Sequence, residues 1–333
     1  MTVVQISAEA PDAMVLARAA ELLRSGQLVA FPTETVYGLG ANALDPGAVA
    51  RIFGAKGRPA YNPLIVHVAD VSTARRLVTH WPESATRLAA RWWPGPLTLV
   101  LPKTPEIPDL VTAGLPTVAL RIPSHPVALA LLRAAGLPLA APSANRSGEV
   151  SPTTAAHVAR SLGSRVPLIL DGGPTSVGIE STVVDLSGAT PVLLRPGMIT
   201  REELAEILGP VALADRAADA GGARPSPGML DRHYAPRARL VVYEGAEDRV
   251  ALQAIAECRA TGGRSAALVR GAAPAGVHHV ERMPADPAAY ARELYGALHR
   301  VDGEGAALIL VERPPADPTW GGVRDRLERA ARP

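Results

Sequence analysis

Apolar positions along the chain recur with two periods, about 3.6 residues and about 2, and the switches between them mark out the elements. From Asp12 to Arg24, Val15, Leu16, Ala19, Leu22 and Leu23 return at helical spacing and Gly26 follows as a stop, so an amphipathic helix leads into Leu28-Val29-Ala30-Phe31 as a buried strand. Asp45 and Pro46 read as the N-cap and first position of a short helix that buries Val49, Ala50, Ile52 and Phe53 and ends near Gly54, leaving Lys56 in the loop beyond. Leu64–Val68 is the next strand. Helices are predicted over Ser72–Val78, Ser84–Trp93, Pro126–Ala135 and Thr153–Leu162, and strands after the Pro94-Gly95 turn, over 117–123 and before the polar loop at 142–148. Three short strands follow at 168–170, 181–186 and 191–196, with hairpin-like neighbours among them, and Thr200 with Glu203 forms a capping box for one more helix.

Strands alternating with helices, joined by hairpin-like neighbours, imply an α/β domain with a mixed twisted sheet over 1–208. The pattern then lapses into Gly221, Gly222, Pro225, Pro227 and Pro236, and 209–238 is assigned as an interdomain linker. Strands at 239–243, 265–269 and 306–312 alternate with helices at 247–260, 287–300 and 322–331, which implies a smaller, parallel, Rossmann-like α/β domain over 239–333.

A chain of 333 residues that is 47% hydrophobic has enough apolar surface for two cores. Its 34 Lys and Arg are balanced by 32 Asp and Glu, which argues against a basic tail of the kind that coats nucleic acid; little or no direct nucleic-acid binding, tRNA included, is expected, and any such role would have to be local. The single cysteine, Cys258, excludes an intramolecular disulfide framework and a cysteine-rich zinc module. No stretch reads as a targeting signal or membrane span; Arg133, for instance, interrupts the longest apolar run. A soluble cytoplasmic protein is therefore expected.

Chemistry concentrates between Phe31 and His67, where Lys56, Arg58 and His67 meet only Glu34 and Asp45 as acids. Gly38-Leu39-Gly40-Ala41-Asn42-Ala43 has the spacing of a dinucleotide loop, but Pro32–Thr35 separates it from the strand and no acid follows about 20 residues on to hold a ribose. Lys56-Gly57-Arg58-Pro59 is either a solvated basic loop or two cations converging on one phosphate or carboxylate. Arg121 and Arg195 close apolar strands, where a guanidinium is either paired structurally or aimed at a ligand. The loop from Pro142 to Gly148 offers hydroxyls, an amide and backbone donors. His67, taken alone, reads first as a satisfied core histidine; Ser181 and Thr182 read as strand residues, and Trp92 and Trp93 as packing. The site lacks a set of His, Asp and Glu for a metal and a nucleophile with its base, so it suits anionic substrates whose reaction needs placement and charge stabilisation.

Taken in order, PTETVYGLG, KGRP with NPLIVH, WPGPLTLVLP, the Arg121 strand, SANRSGEVSPT, GIESTVVDL, LRPGMI and SPGMLDRHYAP resemble the threonylcarbamoyl-adenylate synthase family, in its two-domain form with a YrdC-like first domain. The resemblance covers about residues 27–237. It implies that L-threonine and bicarbonate form a carbamate that attacks the α-phosphate of ATP, giving threonylcarbamoyl-AMP and pyrophosphate, the first step towards N6-threonylcarbamoyladenosine in tRNA. Carried over by motif, Thr35, His67, Arg121, Ala141 and Ser181 correspond to the threonine side. Arg58, Asn62, Thr117, Ser143, Asn145, Ser151, Arg195 and Tyr234 correspond to the ATP side, with Lys56 and Arg58 as the catalytic cations. Tyr234 matches the residue with which the long form closes over the nucleotide. Asp231-Arg232 departs from the family's aromatic-basic pair before HYAP. Magnesium would ride on the ATP phosphates, and a tRNA threonylcarbamoyl-transfer machinery would take the product. Two other readings are a carbamoyl-transfer protein of the hydrogenase-maturation type, against which the missing zinc-finger cysteines count, and an RNA-binding module.

Overall fold

The computed structural model describes residues 1–59, 61–214 and 233–332. The chain begins with β1 (Thr2–Gln5), α1 (Ala13–Arg24), β2 (Val29–Phe31), β3 (Gly38–Asn42), α2 (Pro46–Lys56), β4 (Ile65–His67), α3 (Val71–Arg76) and α4 (Glu83–Trp92). It continues through β5 (Leu97–Pro102), α5 (Asp109–Thr112), β6 (Thr117–Arg121), α6 (Pro126–Ala135), β7 (Leu139–Ala140) and α7 (Ala155–Leu162). Then come β8 (Leu168–Asp171), β9 (Thr182–Asp185), β10 (Val192–Arg195), α8 (Arg201–Leu208) and β11 (Ala212–Leu213). The second half holds β12 (Arg239–Tyr243), α9 (Arg249–Ala260), β13 (Arg264–Val269), β14 (His279–Arg282), α10 (Pro287–Gly303), β15 (Ala306–Glu312) and α11 (Gly321–Ala330).

Local chemistry explains most of these ends. Asp12 accepts from the Met14 and Val15 amides to start α1, and Thr200 and Glu203 close a reciprocal capping box on α8. Asp45 caps α2 as expected, but the helix runs past Gly54 and ends at Gly57, which takes the left-handed conformation at φ 61°. The extra turn places Lys56 on the helix rather than in the loop. The glycine-rich segment from Gly38 to Asn42 is strand β3, paired between β2 and β7, and not a phosphate loop.

The first sheet is mixed, in the order β1-β8-β2-β3-β7-β4-β6-β5-β9-β10-β11. The expected neighbours at 168–196 are split across it, since β8 pairs with β1 and β2 near one edge while β9 and β10 form an antiparallel pair near the other. Alternate residues feed two faces. Val29, Phe31 and Leu139 pack under α1 and α6 with Leu16, Leu23 and Leu131, while Ala30, Leu39 and Val66 face Val49, Ile52, Leu88 and Val158. The second sheet, β12-β15-β13-β14, is wholly parallel, with α10 and α11 on one face and α9 on the other.

The segment assigned as linker does more than span the halves. Ala212 and Leu213 extend the first sheet beside β10, and Ala235 donates its amide to the Gly148 carbonyl at 2.9 Å. Gly221, Gly222, Pro225, Pro227 and Asp231-Arg232 lie outside the described residues. Among the described residues no helix is long and apolar enough to cross a membrane.

One apolar cluster unites the two halves: Val36, Val150 and Ile179 of the first pack with Tyr290, Leu294, Val323 and Leu327 of the second. The approach is closest at Gly178, whose φ is +86° and where a Cβ would lie 2.4 Å from the Ala291 carbonyl oxygen on α10. Gly178→Ala is therefore expected to lower stability by about 2 kcal/mol or more, through left-handed strain plus a clash with helix backbone. Urea denaturation followed by tryptophan fluorescence measures it, and an unchanged midpoint would show that the halves yield without cost.

Candidate active site

Five segments converge over β4: the turn after β2, the Pro142-Ser143 turn, the Glu180-Ser181 approach to β9, the end of β10 and the His233-Tyr234 segment. They enclose a cavity of about 40 Å³ lined by Thr33, Thr35, Val36, Gly38, Arg58, Ile65, His67, Arg121, Ala141, Pro142, Ser143, Glu180, Arg195, His233 and Tyr234. Of the residues singled out by motif, Thr35, Arg58, His67, Arg121, Ala141, Ser143, Arg195 and Tyr234 line it. Lys56, Asn62, Thr117, Asn145, Ser151 and Ser181 are not among its lining residues.

The cations are buried, with Lys56 3%, Arg58 8%, Arg121 3% and Arg195 3% exposed. Each is held by oxygens. Lys56 Nζ donates to the carbonyls of Ser143 and Asn145, which ties the end of α2 to the loop after β7. Arg58 donates through Nε to the Asn62 carbonyl at 3.1 Å and through Nη2 to the Pro63 carbonyl at 2.7 Å. Arg195 donates to the Ser181 carbonyl and to Ser181 Oγ, each at 3.0 Å, and Ser181 Oγ also bonds Thr98 Oγ1 at 2.8 Å. Arg121 differs, because its Nη2 is ion-paired with Glu34 Oε1 at 2.6 Å while Nη1 donates to Thr35 Oγ1 at 2.9 Å. Of the two readings open for Arg121, the structure has both at once: paired, and facing the cavity.

Burial, followed by the Arg58 charge, pushes Lys56 well below the usual amine range. Burial brings Arg58 down to about 10, so it stays cationic at neutral pH, and lowers Arg195 as well. His67 falls to about 3, through burial first and the Arg121 guanidinium second, and is neutral at physiological pH. Around the cavity several polar groups are buried without a hydrogen-bond partner: the Asn62 amide, His67 Nδ1, Asn145 Oδ1, His233 Nδ1 and the Tyr234 hydroxyl. Orphaned polar atoms gathered in one place mark a surface built for ligand groups.

Strand register orders the site. His67 sits beside Arg121 and Leu139, so Thr35, His67 and Arg121 share the far end of β4, while Ala141, beside Ile65, falls at its start. Ile65 sits beside Ala119, so Thr117 falls level with Pro63, next to the Arg58–Asn62 loop at the near end. The cavity lies over β4, whose Ile65 and His67 both line it.

Sequence reasoning did not single out Glu34, Glu180, His233, Tyr295 or Arg326. The Glu180 carboxylate accepts from Ser151 Oγ at 2.5 Å, from the Tyr295 hydroxyl at 3.0 Å and from Arg326 Nε at 2.6 Å. Its only signal was an acid standing directly before Ser181 in GIESTVVDL. Tyr234 adopts φ 61°, with its ring 6.0 Å from that of Tyr295 and the Arg326 guanidinium 5.2 Å above it.

Fold and cavity together define the class, a two-domain YrdC-like α/β protein whose cationic, hydroxyl-lined cavity suits anionic ligands. A family model described as telomere recombination, covering Sua5, YciO and YrdC, matches residues 21–197, and one described as threonylcarbamoyl-AMP synthase, C-terminal domain, matches 199–332. The threonylcarbamoyl-AMP synthase of Bacillus subtilis is 46% identical over 322 residues, 95% of this chain and 92% of that protein. That of Pyrococcus abyssi is 45% identical over 320 residues, 94% and 93% of the two chains. The crystal structure of P. abyssi Sua5 complexed with L-threonine superposes with a TM-score of 0.92 at 42% identity, covering 99% of this chain and 98% of that one. This chain belongs to the threonylcarbamoyl-AMP synthase family.

The depressed pKa of His67 has a consequence for stability. Between about 3 and the ordinary value of 6.5 the unfolded chain binds a proton that folded His67 does not, so this contribution is present above pH 6.5 and lost as pH falls towards 3. The urea midpoint should fall from pH 7 to pH 4, and His67→Gln should flatten that slope. An equal slope in wild type and variant would show that His67 titrates normally in the fold.

Proposed function

We propose that the protein is an L-threonylcarbamoyladenylate synthase that joins L-threonine, bicarbonate and ATP, in the first step of N6-threonylcarbamoyladenosine formation in tRNA. The observation that carries the reading is the buried cavity over β4 that Arg58, Arg121 and Arg195 line together with the hydroxyls of Thr33, Thr35, Ser143 and Tyr234, a setting for several anionic groups at once.

Arg121 receives the threonine carboxylate, and Glu34 holds it in position from behind. Thr35, Ser181 and neutral His67 supply hydroxyl and imidazole partners for the polar groups of threonine. The Ala141 amide is already bonded to the Ile65 carbonyl at 2.9 Å, so Ala141 serves the ligand through its carbonyl. The threonine amine and bicarbonate lose water to form the carbamate. A carbamate oxygen then bonds to the α-phosphorus as the bond from that phosphorus to the bridging oxygen breaks, and pyrophosphate leaves. Lys56, Arg58 and Arg195 stabilise the charge that develops on the phosphate oxygens; Asn62, Thr117, Ser143, Asn145, Ser151 and Tyr234 orient the nucleotide.

A cavity of about 40 Å³ has room for a few waters only. Substrates enter when His233 and Tyr234, which cap it here, swing aside, and the same residues close over the nucleotide afterwards. In this reading magnesium arrives on the phosphates of the ATP substrate. The protein works in the cytoplasm and passes its product to the tRNA threonylcarbamoyl-transfer machinery.

Lys56→Ala and Arg58→Ala are each expected to lower turnover by about 10²–10³, the usual loss for one preorganised charge donor. The assay is pyrophosphate release from ATP with L-threonine and bicarbonate, and release indifferent to threonine would sink the assignment. EDTA should abolish release and excess magnesium restore it, while protein dialysed free of nucleotide should carry no stoichiometric magnesium by elemental analysis. Tightly retained magnesium would mean a protein-held metal.

A further inference from the structure

The side chain that binds the second half of the molecule most deeply into the first is Arg326, on α11, 1% exposed. Its Nε donates to Glu180 Oε2 at 2.6 Å and its Nη2 to the Glu180 carbonyl at 3.1 Å. Nη1 donates to the Pro196 carbonyl at 2.8 Å and to Asp325 Oδ2 at 2.9 Å. One guanidinium therefore grips the residue before Ser181 and the residue after Arg195.

Those two places need an outside tie. β9 and β10 are antiparallel partners, but their register shifts between Leu193 and Arg195, so the ladder that should hold the Arg195 end is irregular there. Arg326 joins the residues just outside the two strands, next to that irregular pairing. The planar five-donor fork of arginine reaches both carbonyls and the carboxylate together, which a lysine ammonium would not do in the same geometry.

Charge makes the second argument. Glu180 is a buried carboxylate on the cavity wall, in the field of Arg195. Left without its own cation, it would compete with a phosphate for Arg195 in a medium where Coulomb forces are strong. Arg326 supplies that cation, while Tyr295 and Ser151 fill the remaining acceptor positions. The Arg121, Thr35 and His67 end of the cavity lies outside this network.

We infer that Arg326 is a positioning residue for the nucleotide half of the site: from α11 it clamps the Glu180 and Pro196 backbones and neutralises Glu180, which keeps Arg195 and Ser151 set for the phosphates and sugar of ATP. This rests on the proposed ATP site and gives the second half of the chain a direct part in substrate binding. The test is titration of the full-length protein with a non-hydrolysable ATP analogue and, separately, with L-threonine, for Arg326→Met, the double variant E180Q/R326M and Glu257→Gln. Glu257→Gln alters an exposed pair with Arg239 in the same half and serves as the control.

Arg326→Met should weaken the analogue by about tenfold or more, in line with losing a buried charge partner, and weaken L-threonine by about threefold at most, since of the threonine partners only Ser181 adjoins the clamp while Thr35, His67 and Arg121 are held elsewhere. The double variant should bind the analogue better than Arg326→Met, because the uncompensated carboxylate is gone, yet worse than wild type, because the clamp is still missing. If Arg326→Met does not fold, the double variant, which buries no lone charge, carries the comparison with wild type. Wild-type analogue affinity in either variant overturns the inference, as does loss of threonine affinity in step with nucleotide. So does a double variant weaker than Arg326→Met. Threonine-dependent pyrophosphate release by wild type tests the enzyme assignment separately, so the two ideas fail in different experiments.

Discussion

Four cations buried around one small cavity are the constraint on which the rest of this structure depends. A charge taken out of water must be met by oxygens or it destabilises the fold. Arg121 is met by the Glu34 carboxylate; Lys56 and Arg58 donate to backbone carbonyls, and Arg195 donates to the carbonyl and hydroxyl of Ser181. Carbonyl dipoles compensate such charges in part, and positive side chains gathered around one cavity suit anionic ligands.

Holding those carbonyls in place explains the architecture around them. Lys56 draws the end of α2 against the 143–145 loop, and Arg58 folds the segment before β4 onto itself. The alternating faces of the mixed sheet bury apolar layers on both sides, so the strand ends that carry Arg121, Ala141 and Arg195 stand on a rigid frame. The second half of the chain is part of that frame. Its α10 and α11 share an apolar cluster with Val36, Val150 and Ile179, and they supply Tyr295 and Arg326 to the carboxylate beside Ser181.

The elements that were legible in sequence are those whose cause is local. Asp12 and Gly26 bracket α1, His125 and Gly136 bracket α6, and Thr200 with Glu203 starts α8, all through bonds within a few residues. Elements without such causes were missed. β1 is mostly exposed, β14 alternates half-buried with exposed residues, and β3 is rich in glycine; each is a strand because a neighbouring strand pairs with it. The choice between Gly54 and Gly57 as the end of α2 was likewise not local, since both are glycines and only Gly57 takes the left-handed turn.

For the site, residue types pointed to Lys56, Arg58, Arg121, Arg195 and the 142–148 loop as candidates for binding an anion, whereas His67 and Ser181, which taken alone read as core and strand residues, joined them only through the family resemblance. What the sequence could not determine was which acid answers which cation. Arg121 meets Glu34 across 87 residues, and Arg326 meets Glu180 across 146. Such pairings depend on strand order, which places β8 far from β9 although they are neighbours in sequence. The chain by itself determined its helices, its two-part organisation and the chemical character of its cavity, since those follow from short-range periodicity and composition. Tertiary structure alone decided the closure of the cavity under Tyr234 and the grip of α11 on its rim, because both join surfaces that meet only when two separate sheets pack.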